Sequence, residues 1–137
     1  MRIKILTGAM LIGMTAVSAC VQTPTVPDID TSSQELTDTR YVYGYCLFRG
    51  GVTLGYKNNF TLTKQIETQV RSLCQEYREE YRVAVEADTF KDRSDFSDSE
   101  MEIYRPATSK LVISEVEKIV FDGVRSELKH LQEKANG

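Results

Sequence analysis

Residues 62–87 read LTKQIETQVRSLCQEYREEYRVAVEA and carry the strongest structural signal in the chain. Apolar side chains recur there every three or four residues, the spacing that places them on one face of an α-helix. The members of this stripe are Leu62, Ile66, Val70, Leu73, Cys74, Tyr77, Tyr81 and Ala84. The pattern predicts one long amphipathic helix, capped by Thr61 or Thr63, with the Cys74 sulfur pointing at a neighbouring element.

A second helix is predicted over residues 112–131 from a similar apolar stripe. Its members are Val116, Val120, Val124, Leu128 and Leu131. Because Pro106 disfavours helix at the residue before it, we place a boundary there. Either Ser109 or the capping box that begins at Ser114 would then start the helix. Residues 88–105 are accordingly predicted to be a polar connector.

Residues 38–57 allow two interpretations. As a helix capped by Asp38, they place one broad apolar set on a single face: Tyr41, Val42, Tyr45, Cys46, Phe48, Val52 and Tyr56. Four glycines oppose the helix, because each costs about 1 kcal/mol in a helix interior. As strands, the segment forms a hairpin around Gly50-Gly51, but a lone hairpin is barely stable and both its faces would be apolar. We favour the helix, and the hairpin stays open as the alternative.

The first twenty residues have the layout of an export signal. A charged start, Met1-Arg2-Ile3-Lys4, precedes the apolar residues 5–17 and the small residues of a cleavage site. Thirteen helical residues span about 20 Å, less than the roughly 30 Å hydrocarbon core of a bilayer. Val17-Ser18-Ala19-Cys20 resembles the lipobox of bacterial lipoproteins, and the resemblance covers residues 1–20 only. It implies a signal peptide of residues 1–19, lipidation of Cys20 and, since Val21 follows, an outer-membrane lipid anchor on the periplasmic face.

A spacer follows the lipobox. It holds Pro24, Pro27 and many Ser and Thr residues, a composition that cannot repay the entropy of ordering. We therefore expect a lipidated flexible tether over residues 20–38 and one small helical periplasmic domain over residues 39–137.

The cysteine count fits this division of the chain. With Cys20 carrying lipid, Cys46 and Cys74 form an even pair in an oxidising compartment, where a disulfide is the expected state. The predicted fold is therefore mainly α: a small disulfide-pinned bundle of about three helices after a disordered tether. The alternative is an α+β fold in which a hairpin at residues 40–57 packs on two helices.

Composition and motifs argue against several functions. The formal net charge is −3, without the basic surface that nucleic-acid binding requires. The single histidine, His130, lies near a predicted helix end, and neither a nucleophile elbow nor a phosphate-binding glycine loop is present. The acidic residues of the connector lack the spacing and the glycine of a calcium loop: Asp92, Asp95, Asp98, Glu100 and Glu102. We expect no catalytic residues, no metal and no cofactor.

The function expected from these features is a non-enzymatic protein-interaction module. It would be anchored to the membrane and dock an envelope protein, as accessory lipoproteins of secretion or conjugation complexes do. If residues 38–57 are helical, Tyr43, Leu47 and Leu54 lie off the stripe that contains Tyr45 and Cys46, so we expect them to form the partner-binding surface. A small carboxylate-dependent hydrolase, a structural spacer and a ligand carrier are the alternatives.

Overall fold

The computed structural model describes residues 33–137, which form four α-helices and, over that range, no strand. The helices are α1 (Gln34–Lys57), α2 (Lys64–Leu73), α3 (Gln75–Phe90) and α4 (Asp98–Asn136). The prediction of a mainly α, disulfide-pinned bundle is confirmed, and the hairpin alternative is wrong. The predicted signal peptide, Cys20 and the tether up to residue 32 lie outside the described residues. No helix in the described range is long and apolar enough to cross a membrane.

Helices α2 and α3 form one rod with a local break at Cys74. The Cys74 backbone leaves helical geometry (φ −100°, ψ 16°), yet its N–H still donates to the Val70 carbonyl at 3.0 Å. Its own carbonyl accepts the N–H of Arg78 at 3.0 Å. The single helix predicted over residues 62–87 is thus two consecutive helices joined by backbone hydrogen bonds across Cys74, and we count them as one of three rods in the bundle.

The disulfide joins this break to α1. Cys46 and Cys74 are bonded, with their Cα atoms 6.0 Å apart, as the cysteine count predicts. Residue contacts along the rods show that α1 is antiparallel to α2–α3 and parallel to α4: Tyr43 meets Tyr81 and Glu117, and Gly51 meets Val124. The core between the rods consists of Leu36, Tyr43, Leu47, Val70, Cys74, Tyr81, Ala84, Val85, Val112, Ile113, Val116, Phe121, Val124 and Leu128.

The glycines of α1 allow neighbouring helices to approach closely. A Cβ atom on Gly50 would lie 3.1 Å from Cγ1 of Val70, and one on Gly51 would lie 3.0 Å from Cγ2 of Val124. Both distances are shorter than ordinary van der Waals contact. The cost of about 1 kcal/mol per helical glycine is therefore offset by close packing, which a larger residue would keep only if Val70 or Val124 moved by a few tenths of an ångström.

Helix α1 begins earlier than the sequence suggests. Ser33, not Asp38, is the N-cap, and its side-chain oxygen accepts the N–H of Leu36 at 3.3 Å. The Ser33 N–H donates to Asp88 Oδ1 at 3.1 Å, which ties the start of α1 to the end of α3. The folded domain therefore starts near residue 33, because the Ser33 cap and the buried Leu36 anchor a turn that we had assigned to the tether.

Helix α4 also begins earlier, so the predicted connector 88–105 is mostly helical. Ser97 and Glu100 form a reciprocal capping box, and the helix continues through Pro106. A proline inside a helix has no N–H to donate, so the backbone carbonyl of Glu102, four residues earlier, lacks its usual helical partner. Glu102 is exposed, so water can donate to that carbonyl instead. Ser109 is not a cap: it is buried, and its hydroxyl donates to Glu86 Oε1 at 3.0 Å.

Candidate functional site

The predicted binding surface at Tyr43, Leu47 and Leu54 is wrong. Tyr43 and Leu47 are fully buried, and Leu54 is half-buried against the core. Instead Tyr41 is 71 % exposed and Tyr45 is 50 % exposed, although the sequence interpretation placed both in the core. The helix is present, but its buried face is the opposite one.

The physical reason lies in what surrounds Tyr43. Its hydroxyl donates to Glu117 Oε1 at 2.6 Å across the bundle, so a buried tyrosine has the polar partner that it needs. The buried face that contains Tyr43 also carries Gly51 and Gly55, where α4 approaches most closely. The glycines of the buried face therefore allow α1 to contact α4 closely, while Tyr41 and Tyr45 point away from the core.

An exposed apolar groove results between α1 and α4, with a volume of about 440 Å³. We call it the α1–α4 groove. Its lining consists of Thr37, Arg40, Tyr41, Gly44, Tyr45 and Phe48 from α1, with Val116, Ile119 and Val120 from α4. From Thr37 to Phe48 the groove is about 16 Å long, or three turns of helix.

Two glycines lie close to groove residues on the facing helix. A Cβ on Gly44 would meet Val120 Cγ2 at 3.6 Å, and one on Gly123 would meet Phe48 Cε2 at 3.9 Å. Both are ordinary van der Waals contacts, so a methyl group would fit at either position. Gly44 lines the groove and leaves its floor without a side chain, between Phe48 of α1 and Ile119 of α4.

The walls of the groove are aromatic on α1 and aliphatic on α4. The rings of Tyr41 and Tyr45 stack with centroids 6.1 Å apart and an interplanar angle of 12°. Arg49 lies over the outer side of this stack, 5.7 Å from the Tyr45 centroid. Ile119 faces them and is 55 % exposed. Contiguous exposed apolar side chains of this kind are typical of protein-binding surfaces.

A buried ionic network lies behind the groove, on the core side of α1. Glu117 accepts hydrogen bonds from Tyr43 (2.6 Å), Arg71 Nε (2.7 Å) and Arg78 Nε (3.3 Å). Arg71 also pairs with the buried Glu67 at 3.6 Å, and its guanidinium lies 4.9 Å from the Phe121 ring. The network therefore links all three rods.

Glu67 is the second acid of this network. Its Oε2 lies 3.1 Å from Lys64 Nζ, and its Oε1 pairs with Arg125 of α4. The residue is almost fully buried, but three cations surround its carboxylate. Removing one partner of such a buried ion pair is destabilising, because the other charge is left buried without compensation.

The electrostatics of Glu117 are those of a structural acid. Burial alone would raise its pKa, but the hydrogen bonds from Tyr43 and Arg71 prevail, so the pKa of Glu117 lies below its usual value. Burial, together with the bond to Glu117, raises the pKa of Tyr43 far above that of a free tyrosine. A general acid at neutral pH needs a raised carboxyl pKa. The arrangement at Glu117 is the opposite, so it gives no support to a carboxylate-dependent hydrolase.

The acidic residues considered for calcium do not converge. Asp92 and Asp95 lie in the short connector before α4, and Asp98, Glu100 and Glu102 lie in its first turns. The Glu100 carboxylate accepts the Ser97 N–H at 2.9 Å and its hydroxyl at 2.7 Å as part of the helix cap. Over residues 33–137, no group of three His, Cys, Asp or Glu side chains has the geometry to hold a metal ion.

The sequence interpretation missed both the groove and the network. Glu67 and Glu117 interrupt apolar stripes between Ile66 and Val70 and between Val116 and Val120. A charged residue inside a buried stripe is a signal of a paired, buried ion. For the groove the signal is weaker: α1 is apolar on nearly every side, and such a helix is normally covered on every side.

Comparisons with known proteins add no further assignment. No protein-family model matches the chain, and no curated protein or solved structure resembles it at a significant level.

Proposed function

We propose that the protein is a membrane-anchored bacterial envelope lipoprotein that works as a non-enzymatic protein-interaction module. The lipobox-like Val17-Ser18-Ala19-Cys20 supports the anchor. The observation that carries the interaction role is the α1–α4 groove, which exposes aromatic and aliphatic walls over three helical turns. An envelope complex, such as a secretion or conjugation machine, would supply the partner.

The shape of the groove favours an amphipathic helix of the partner protein. Two parallel helices form the two walls of a helix-in-groove site, and the apolar cleft between them forms its floor. In such a site the anchors are the residues at positions i, i+3, i+4 and i+7 of the ligand helix. Arg40 lines one end of the cleft, and Arg49 stands at its α1 rim. Acidic side chains on the α1 side of the ligand helix would complement these two cations.

Ile119→Asp tests the groove. The full-length tagged chain is expressed in bacterial cells, cross-linked in place and captured, and the co-captured proteins are quantified. A desolvated anchor contributes about 2 kcal/mol or more, roughly thirtyfold in affinity, so the partner's yield should fall strongly. Val83→Asp on α3 is the matched control, because Val83 is 52 % exposed against 55 % for Ile119.

Equal capture by Ile119→Asp and Val83→Asp, with equal thermal stability, would refute the groove as the binding surface. The anchor has a separate test. Cys20→Ser should abolish metabolic labelling with a fatty-acid analogue and leave unprocessed precursor. A processed, membrane-bound Cys20→Ser protein would show that the lipoprotein assignment is wrong.

A further inference from the structure

The outward face of α1, opposite the core, is unusually apolar. Tyr45 and Tyr56 are half or more exposed there, and Val42 is also exposed. Val52 lies at the border of this face, half-buried and packed in part against the core. A surface helix normally carries charged or polar residues on the face away from the core. The apolar side chains on this face therefore indicate that another surface covers it.

The spacing of the residues on this face indicates what kind of surface would cover it. Six residues follow one another at alternating intervals of four and three, the a/d repeat of a coiled coil: Asp38, Val42, Tyr45, Arg49, Val52 and Tyr56. We call these six the α1 seam. The repeat extends over 18 residue steps, about 27 Å of helix.

The α1 seam is also self-complementary about position 47. Asp38 and Tyr56 are equally distant from that position, as are Val42 and Val52, and also Tyr45 and Arg49. Each pair joins one a position to one d position, as the layers of an antiparallel coiled coil do. We propose that the occupant of the α1 seam is a second copy of this chain, packed with its α1 antiparallel to the first.

The paired side chains match chemically in this arrangement. The Tyr56 hydroxyl of one copy can donate to the carboxylate of the partner's Asp38, and Val42 packs on the partner's Val52. Tyr45 meets the partner's Arg49, a cation–π pair. Within one chain, Arg49 already lies 5.7 Å from the Tyr45 centroid and donates to its hydroxyl at 3.5 Å. Two such pairs would meet at the twofold axis.

A parallel arrangement fails on charge. It would place Arg49 against the partner's Arg49 and Asp38 against the partner's Asp38, and like charges that face each other in a seam are destabilising. Asp38 and Arg49 are the charged members of the α1 seam. They therefore select the antiparallel direction, while the valines and tyrosines provide the apolar area.

The available area suits a dimer of ordinary size. Tyr41, Tyr45 and Tyr56 each expose half or more of their surface. Since a buried aromatic side chain covers 150–250 Å², the three expose on the order of 350 Å². The remaining side chains of the α1 seam and its flanks add to this area, so the face supplies a large share of the roughly 800 Å² that each partner of a standard interface buries.

This dimer goes beyond the proposed function and does not depend on it. The α1 seam shares Tyr45 with the α1–α4 groove, and Tyr41, which is counted in the dimer area, also lines the groove. The α4 wall with Ile119 stays outside the seam, so the groove and the seam can be tested by different substitutions.

Paired cysteine variants test the antiparallel dimer. Full-length chains with Val42→Cys and Val52→Cys carry different tags and are expressed separately or together. Together they should form a disulfide-linked heterodimer, because the two positions face each other. Separately, neither should cross-link: two Val42 positions in this arrangement lie about 15 Å apart, beyond the roughly 7 Å limit on Cα separation for a disulfide.

Two controls keep the result interpretable. Val83→Cys, at an exposed position on α3, should cross-link with neither variant. Mass mapping should find the Cys46–Cys74 bridge intact in every variant, and a maleimide probe should show that unlinked thiols are reactive. Val42→Cys chains that cross-link to each other indicate a parallel pair and overturn the proposal. Reactive thiols without a heterodimer in the mixed cells overturn it as well.

Discussion

Gly44→Ala and Gly51→Ala together measure how closely α1 and α4 approach each other. Both glycines lie inside α1 on the side of α4, and both substitutions add the same methyl group. At Gly44 the new Cβ would lie 3.6 Å from Val120 Cγ2, an ordinary contact. At Gly51 it would lie 3.0 and 3.1 Å from the two methyl carbons of Val124, which is fully buried.

The free energies of unfolding should therefore move in opposite directions. Replacing a helical glycine with alanine contributes about 1 kcal/mol of stability from backbone entropy, which is the whole effect expected for Gly44→Ala. Gly51→Ala has the same gain, but the β-branched Val124 is held in one rotamer and cannot turn away. Overpacking of that kind costs about 1–3 kcal/mol, so Gly51→Ala should be about 1 kcal/mol less stable than the unsubstituted protein.

Urea denaturation followed by circular dichroism at 222 nm, with the disulfide intact, measures both values. The two variants should differ by about 2 kcal/mol, or at least 8 °C in Tm, with equal m-values. A Gly51→Ala protein as stable as Gly44→Ala would show that α1 and α4 do not pack as closely as the contact at Val124 requires. Loss of stability in Gly44→Ala would show that the groove floor is closed.

Two further predictions concern the links between rods. Cys74→Ala should lower the free energy of unfolding by about 3.5 kcal/mol, since the bridge to Cys46 closes a loop of 28 residues. A decrease of less than about 1 kcal/mol in the free energy of unfolding, measured under non-reducing conditions, would contradict this prediction. Glu117→Gln should cost about 1–3 kcal/mol at neutral pH, because Arg71 and Arg78 lose their shared carboxylate but are partly exposed. Since the folded pKa of Glu117 is lowered, its stabilisation is present above pH 4.5 and is lost as the pH falls through the folded pKa. The difference between Glu117→Gln and the unsubstituted protein should therefore shrink below pH 4.5, and a constant difference would contradict the ionised network.

The helical residues of α2–α3 and the second half of α4 were predictable because their signals are local, and the disulfide was predictable from the cysteine count. The apolar stripe that includes Val70 and Tyr81 repeats at helical spacing on one side, with charges on the other. Cys74 lies in that stripe, and the predicted export with lipid on Cys20 leaves Cys46 as its one expected partner. Even so, the stripe overstated burial: Leu73 was assigned to the core but is mostly exposed, since the chain leaves helical geometry at the next residue.

The orientation of α1 was not predictable from its own residues. Apolar side chains occur on nearly every side of this helix, so periodicity indicates no single buried face. Which face of α1 is buried depends on the hydroxyl of Tyr43, whose hydrogen-bond acceptor Glu117 is 74 residues away in sequence. Tyr41 and Tyr45 have the same local propensity and lack such an acceptor in the core. The groove could not be located for the same reason, since its α1 wall depends on that orientation.

Pro106 shows a second reason why the sequence alone did not predict the helix bounds. The rule that helix is disfavoured before proline is local, and it predicted a boundary at residue 105. In the structure, Ser97 and Glu100 cap the helix upstream, and Ser109 is buried with its hydroxyl on Glu86 of α3. A strong cap on one side and a tertiary contact on the other outweigh one missing hydrogen bond, so the helix continues through the proline.

The polar residues of α1 have roles that apolar residues could not take. Tyr43 is tied through Glu117 to the cations of α3, which fixes the rotation of α1 in the bundle. That rotation presents Tyr41 to the groove and Tyr45 to both the groove and the outward face. On that face, Asp38 and Arg49 interrupt an otherwise apolar row, at a cost in contact area. Such interruptions weaken an interface but exclude the wrong register, because a slipped or parallel partner leaves them against like charge or apolar side chains. A helix that contributed only to the core would not require apolar residues on its outer face. A helix that bound other surfaces non-specifically would not require the charges of Asp38 and Arg49.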